Sequence, residues 1–174
     1  FKLYLGRSKL LTSAQYTTSS ATDIIGPSSY GHNMTPAMAS VAATAYNSGT
    51  APETFSSRGP ALYCWAPVNG VEASAALPSC VSDTIDVTAT DGAANSFFGQ
   101  VVSSVWRFYG TSAAAPHAAA IAALAIEARY CVVGTGLVGN LRAGATAMPG
   151  QTADAVGGGL ANAGGTITNI GACS

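Results

Sequence analysis

The spacing of hydrophobic and polar positions changes several times along the chain. Phe1-Lys2-Leu3-Tyr4-Leu5 alternates and predicts a strand. Residues 8–30 are rich in Ser and Thr and predict a loop holding one short strand. Residues 40–46 are small and apolar, and Asn47-Ser48-Gly49 closes them after few positions, which predicts a buried strand. Residues 39–45 could equally open a helix. Phe55-Ser56-Ser57-Arg58-Gly59-Pro60 predicts a loop. Residues 61–82 carry two cysteines, prolines and Gly70 and predict a pinned surface loop. Ile85-Asp86-Val87-Thr88-Ala89 predicts a strand, and residues 91–100 a loop. Residues 101–109 are β-branched and aromatic and lead into Gly110-Thr111-Ser112.

The clearest element runs from Ser112 to about Tyr130, a helix that is apolar all round and is therefore expected to be buried. Pro116 falls in its first turn, where a missing N–H is tolerated. Residues 137–147 predict a second, weaker helix. Gly157-Gly158-Gly159-Leu160-Ala161-Asn162-Ala163 predicts a turn closing onto a packed segment. Strands interleaved with helices point to the α/β class, and no internal repeat is evident. Ser112 stands where loop becomes helix. Unpaired N–H groups and the positive end of the helix dipole there favour negative charge, which a serine needs when its attack on a carbonyl creates an oxyanion.

Composition narrows the function classes. The 174 residues are one domain's length or part of a larger one, 48 % apolar and only 9 % charged. A soluble average is about 25 % charged, so so few charges favour a tightly packed body over disorder. A net charge of -1 offers no electrostatic footprint for nucleic acid or an anionic membrane. The longest apolar run, residues 113–126, is broken by Pro116 and His117 and is too short to span a bilayer. The first residues lack the features of a signal peptide and are read as the middle of something longer. Cys64, Cys80, Cys131 and Cys173 have no C-x-x-C spacing, so zinc is not expected. Their even number suits two disulfides in a secreted or extracellular protein. Three pairings exist, of which Cys64–Cys80 with Cys131–Cys173 is favoured. Four buried free thiols are the alternative.

Gly110-Thr111-Ser112-Ala113-Ala114-Ala115-Pro116 resembles the Gly-Thr-Ser-x-Ala-x-Pro motif of the subtilisin-like serine peptidases. Three more segments resemble that family in register. Residues 55–60 look like its Phe-Ser-Ser-x-Gly-Pro element. Residues 85–89 with Asp91-Gly92 resemble Lys-Pro-Asp-x-x-Ala-Pro-Gly without Lys-Pro and without the second Pro. Gly159-Leu160-Ala161-Asn162-Ala163 resembles the Gly-x-Gly-Leu-x-Asn-Ala close of the catalytic domain. The resemblance implies an α/β, subtilisin-like three-layer sandwich with a mostly parallel sheet, present as its C-terminal part. It divides the chain into residues 1–30 as the end of an upstream insertion, 31–165 as the C-terminal part of the catalytic domain, and 166–174 as a tail. It also implies peptide-bond hydrolysis through an acyl-enzyme on Ser112, presented by Gly110 and Thr111, with the Ser112 backbone N–H donating to the oxyanion.

The family's other catalytic groups find no firm match. His117 lies about 140° round the helix from Ser112 and reads as a packing residue. Gly31-His32-Asn33-Met34-Thr35-Pro36 faintly echoes His-Gly-Thr-x-Val-Ala but departs at Asn33 and Thr35, and His32 lies too close before residues 55–57. Asn33 is a weak match for the oxyanion Asn. Asp23, Asp83, Asp86, Asp91 and Asp154 all lack the family's Asp-x-Gly setting, and Asp86 matches a structural aspartate. The expectation is a partial catalytic domain, inactive alone, whose Asp, His and oxyanion Asn come from an upstream part of the same protein or a partner chain. The substrate would be a peptide or protein. No cofactor or metal is expected; calcium is a candidate in a longer protein, where Asp83, Asp91 or Asp154 could contribute. Half a parallel sheet would leave an open edge and uncovered apolar faces. The alternative is a non-catalytic scaffold or adhesion module, in which Ser112 would serve as a helix N-cap. A nucleotide-binding domain lacks support, because Gly157-Gly158-Gly159 has no phosphate-loop Lys.

Overall fold

A computed structural model describes residues 28–35, 38–66 and 75–173. The strand expected at residues 1–5 and most of the loop at 8–30 lie outside them. The centre is a parallel pair, β1 (Val41–Ala45) and β4 (Val87–Asp91), in register Val41 to Val87 through Ala45 to Asp91. Both strands expected from sequence are present, the second shifted toward Asp91. Small side chains suit this position: alternate residues of β1 point to opposite faces, and both faces are covered. On one face Ala43, Val87 and Ala89 pack against Ala114 and Ala118 of helix α1 (Thr111–Ala128). On the other, Ala42 joins Met34 of the short 3-10 turn η1 (Gly31–Met34), Ala61 and Ile85. This arrangement is the α/β class expected from the sequence.

Hydrogen bonds extend the sheet beyond its two strands. Thr88 N–H donates to Gly159 O at 2.8 Å, and Ala161 N–H to Thr88 O at 2.7 Å. Leu160 thereby bridges Thr88 on one side and Thr146 on the other. The Gly159-Leu160-Ala161 segment acts as a one-residue continuation of the sheet beside β4. On the far side of β1, the Ser56 hydroxyl accepts from Ala43 N–H at 2.8 Å, and Glu53 N–H donates to Ala43 O at 2.7 Å. The Phe-Ser-Ser loop thus satisfies a strand edge that would otherwise be open.

Four sequence expectations are corrected. The described residues of 61–82 are not simply loop. β2 (Ala61–Trp65) and β3 (Ala76–Asp83) pair antiparallel, with a register irregularity between Tyr63 and Trp65. Pro78 and the polar stretch around it hide the strand, because an irregular hairpin carries no clean alternation. Nor are residues 91–100 only a loop. With β7 they build a small antiparallel sheet ordered β5 (Ala93–Asn95), β7 (Val105–Phe108), β6 (Gln100–Val102). The β6–β7 turn is Ser103-Ser104, both at positive φ (50° and 62°), the two-residue geometry usually signalled by Asn-Gly. Third, α1 is not buried all round. Ala113, Ala114, Ala118 and Ala125 are buried, but Leu124 is 50 % and Ile126 40 % exposed, since the narrow parallel pair covers only one face of the helix. Fourth, residues 137–147 are helical only as α2 (Thr135–Ala143), which stops at Gly144.

After α2 come α3 (Ala153–Val156) and α4 (Ala163–Ile170), the latter capped by the Asn162 side chain accepting from Gly165 N–H at 2.9 Å. Helix α4 runs through residue 166, where the tail was expected to begin, and packs on α2 and α1. The favoured cysteine pairing is present. Cys64–Cys80 ties the β2–β3 hairpin, and Cys131–Cys173 ties the segment after α1 to the end of α4. Among the described residues, no helix is long and apolar enough to cross a membrane.

Candidate active site

Helix α1 starts at Thr111, and its N-cap is Gly110 at φ 130°, a backbone conformation in the region that favours glycine. Ser112 is therefore the second helical residue. It is exposed, and the cap position has no side-chain hydrogen bond. A capping role for Ser112 does not describe this turn. The first amides with a backbone acceptor are Ala113 N–H and Ala114 N–H, both donating to Gly110 O at 2.8 and 3.2 Å. The N–H groups of Thr111 and Ser112 precede that ladder, at the positive end of an 18-residue helix with no acidic residue in its first turn. An exposed hydroxyl beside such amides is an arrangement suited to nucleophilic attack and oxyanion stabilisation.

Gly110 is held from below. Its N–H donates to Asp91 Oδ2 at 2.7 Å. Asp91 ends β4 and is fully buried, and burial pushes its carboxyl above the usual carboxylate range against the opposing pull of the Gly110 amide. Glu53 is raised too, by burial first and then by the charge of Asp91. Tyr46 N–H donates to Asp91 O at 3.0 Å. Next door, Arg107 Nη1 donates to Gly92 O at 2.9 Å, with the guanidinium 3.8 Å from the centre of the Tyr46 ring. The end of the parallel pair and β7 thus brace the loop that presents Ser112.

Beside the same helical turn lies an open cavity of about 590 Å³, lined by Phe97, Phe98, Phe108, Ala113, Pro116 and His117 among others. Phe98 and Phe108 meet edge to face with ring centres 4.7 Å apart. Asn95 shapes this wall: its Oδ1 accepts from Phe97 and Phe98 N–H at 3.0 and 2.6 Å, and its Nδ2 donates to Phe98 O at 2.7 Å. Sequence reasoning missed both this wall and Asp91. The available signal was Asn95, which favours side-chain-to-backbone turns.

The other candidates stand elsewhere. His117 Nδ1 is 3.0 Å from Ala113 O one turn back along α1, a contact that occupies one ring nitrogen within its own helix. His32 and Asn33 line a polar cavity with Ser28, Ser29, Tyr30 and Ser57. Asp86 is structural, as its match suggested. Its Oδ2 accepts from Ser40 N–H at 2.8 Å, and its Oδ1 is 2.8 Å from Arg142. Asp83 Oδ1 accepts from Thr84 N–H at 2.9 Å, and Asp154 Oδ1 accepts from the Thr84 hydroxyl at 2.8 Å. Asp23 lies outside the described residues.

A comparison with curated proteins finds no match for this chain. The family model for the subtilase family of peptidases, Peptidase S8, matches residues 9–131, from within the first polar stretch to just past helix α1. With Gly110-Thr111-Ser112 at the head of that helix and the match covering most of the sequence, the chain belongs to the subtilase family.

Proposed function

We propose that this chain is the nucleophile-bearing part of a serine endopeptidase. The observation that carries the reading is the exposed Ser112 at the second position of α1, beside open helix amides and unused as a cap. In the assembled enzyme Ser112 Oγ attacks the peptide carbonyl carbon while an imidazole takes its proton. The tetrahedral oxyanion rests on the Ser112 N–H and a neighbouring donor. Collapse breaks the C–N bond, the imidazole returns the proton to the leaving amine, and water then hydrolyses the acyl-serine. The base, its orienting Asp and the oxyanion Asn come from an upstream part of the same protein or a partner chain. His117 is engaged within α1, and His32 stands with Ser57 in a separate cavity. The open aromatic cavity beside α1 offers a resting surface for an apolar substrate side chain. No metal takes part in these steps. Two disulfides fit an oxidising, extracellular setting.

The test compares the native gene product, its Ser112→Ala variant and residues 1–174 alone in a peptide-hydrolysis assay. The native product is expected to turn over substrate, and the variant to lose several orders of magnitude, a size established for subtilisin itself rather than worked from this chain. Residues 1–174 alone should be inert. A native product indifferent to Ser112→Ala would refute the nucleophile. Robust turnover by residues 1–174 would refute the partial-domain reading.

A further inference from the structure

The buried end of β4 holds a carboxyl group that the peptidase chemistry above does not use. Asp91 is fully buried, yet only one of its oxygens is engaged: Oδ2 accepts from Gly110 N–H, while Oδ1 has no hydrogen-bond partner among the described residues. A buried carboxylate oxygen left without a donor is costly, and a proton is the cheapest remedy. Glu53 is the other acidic group here. Its backbone is tied to Ala43 on the neighbouring strand, and its carboxyl feels the charge of Asp91. The remaining charged or titratable neighbours are accounted for. Arg107 of β7 spends its guanidinium on Gly92 O and the Tyr46 ring, while the rings of Tyr46 and Tyr109 pack against Gly92. The first turn of α1 presents no acidic residue.

We propose that Asp91 is a positioning residue for the nucleophile turn, fixing Gly110 through its Oδ2 and carrying a proton on its unpartnered Oδ1. The proposal rests on the reading of Ser112 as nucleophile. In either protonation state Oδ2 can accept the Gly110 amide, so the turn keeps its shape. Charge is what changes. A negative charge near the head of α1 opposes an oxyanion at Ser112, and a proton on Asp91 removes it. Burial raises the Asp91 carboxyl in the direction this requires.

The test is a pH titration of residues 1–174 by NMR, following the Gly110 amide and the side-chain carboxyl carbons of Asp91 and Glu53. The Gly110 amide is expected to move with pH, with a midpoint above the ordinary carboxylate range, because its acceptor changes charge. Asp91→Asn should abolish the titration while leaving the amides of residues 111–114 in place, since an amide oxygen still accepts. Asp91→Ala should move those amides. A Gly110 amide that ignores pH would overturn the proton on Asp91. Amides of residues 111–114 that stay put in Asp91→Ala would overturn the positioning role. These signals do not depend on hydrolysis. Failure of the peptidase reading alone would leave the titration intact and the Ser112 hydroxyl without reactivity in the native gene product.

Discussion

Replacing Asp86 separates the worth of a buried acceptor from the worth of a buried charge. Asp86 sits at the entry to β4 and gathers three parts of the chain. Its Oδ2 accepts from Ser40 N–H ahead of β1, its Oδ1 faces Arg142 of α2, and its backbone O accepts from Gly158 N–H at 2.9 Å. Burial raises its carboxyl above the usual range; the Ser40 bond and Arg142 pull the other way without winning, and Asp83 adds to the rise. The folded state therefore holds a proton on Asp86 more tightly than the unfolded chain does. By linkage, the neutral form is the better tolerated one. Asp86→Asn keeps an oxygen acceptor without the charge and should lose at most about 1 kcal/mol, the worth of an ion pair whose Arg142 side chain is 43 % exposed. Asp86→Ala strands the Ser40 amide, itself buried, at a cost of about 1–3 kcal/mol on top of that loss. Urea unfolding followed by circular dichroism, with equal slopes, should rank wild type and Asn close together and Ala well below. An Asn variant as unstable as the Ala variant would show that Arg142 overcomes the burial cost, and the reasoning would be wrong.

Three further outcomes follow from the same contacts. Glu53, Asp86 and Asp91 are all raised, so protonation favours the folded state. Stability should be highest at mildly acid pH and fall as pH rises from the ordinary carboxylate values near about 4 through the raised ones, read as the urea midpoint against pH. Opening the Cys131–Cys173 bridge with a Cys173→Ala, Cys131→Ala pair releases a 42-residue separation and should cost about 4 kcal/mol by the chain-entropy relation, against about 3 for the 16-residue Cys64–Cys80 link. Chemical unfolding of each pair of variants checks the order. Gly165→Ala would drive a Cβ into the Gly144 carbonyl where α4 crosses the end of α2, and should cost about 1–3 kcal/mol in the same assay.

What the sequence discloses about this molecule follows the range of the interactions involved. The start of α1 is legible because its determinants are neighbours: Gly110 takes the unusual backbone angle, Pro116 fits the first turn, and an alanine run continues the helix. The burial of α1 was overestimated for a related reason. An apolar sequence states what a helix would bury, while the width of the sheet beneath it decides what it can. Leu124 and Ile126 are exposed because β1 and β4 reach only the Ala114 and Ala118 face. The hairpins were hidden by turns made of the wrong residues: two serines at positive φ where glycine is usual, and a side chain, Asn95, replacing backbone bonds. Asp91 is the hardest case. Its place beside Gly92 was visible, but its meaning depends on Gly110, 19 positions away. A carboxyl oxygen there accepts the Gly110 amide at the cost of burying a polar group. The turn that presents Ser112 is therefore held by a hydrogen bond to a residue 19 positions away, and a contact of that kind is set by the fold rather than by any motif.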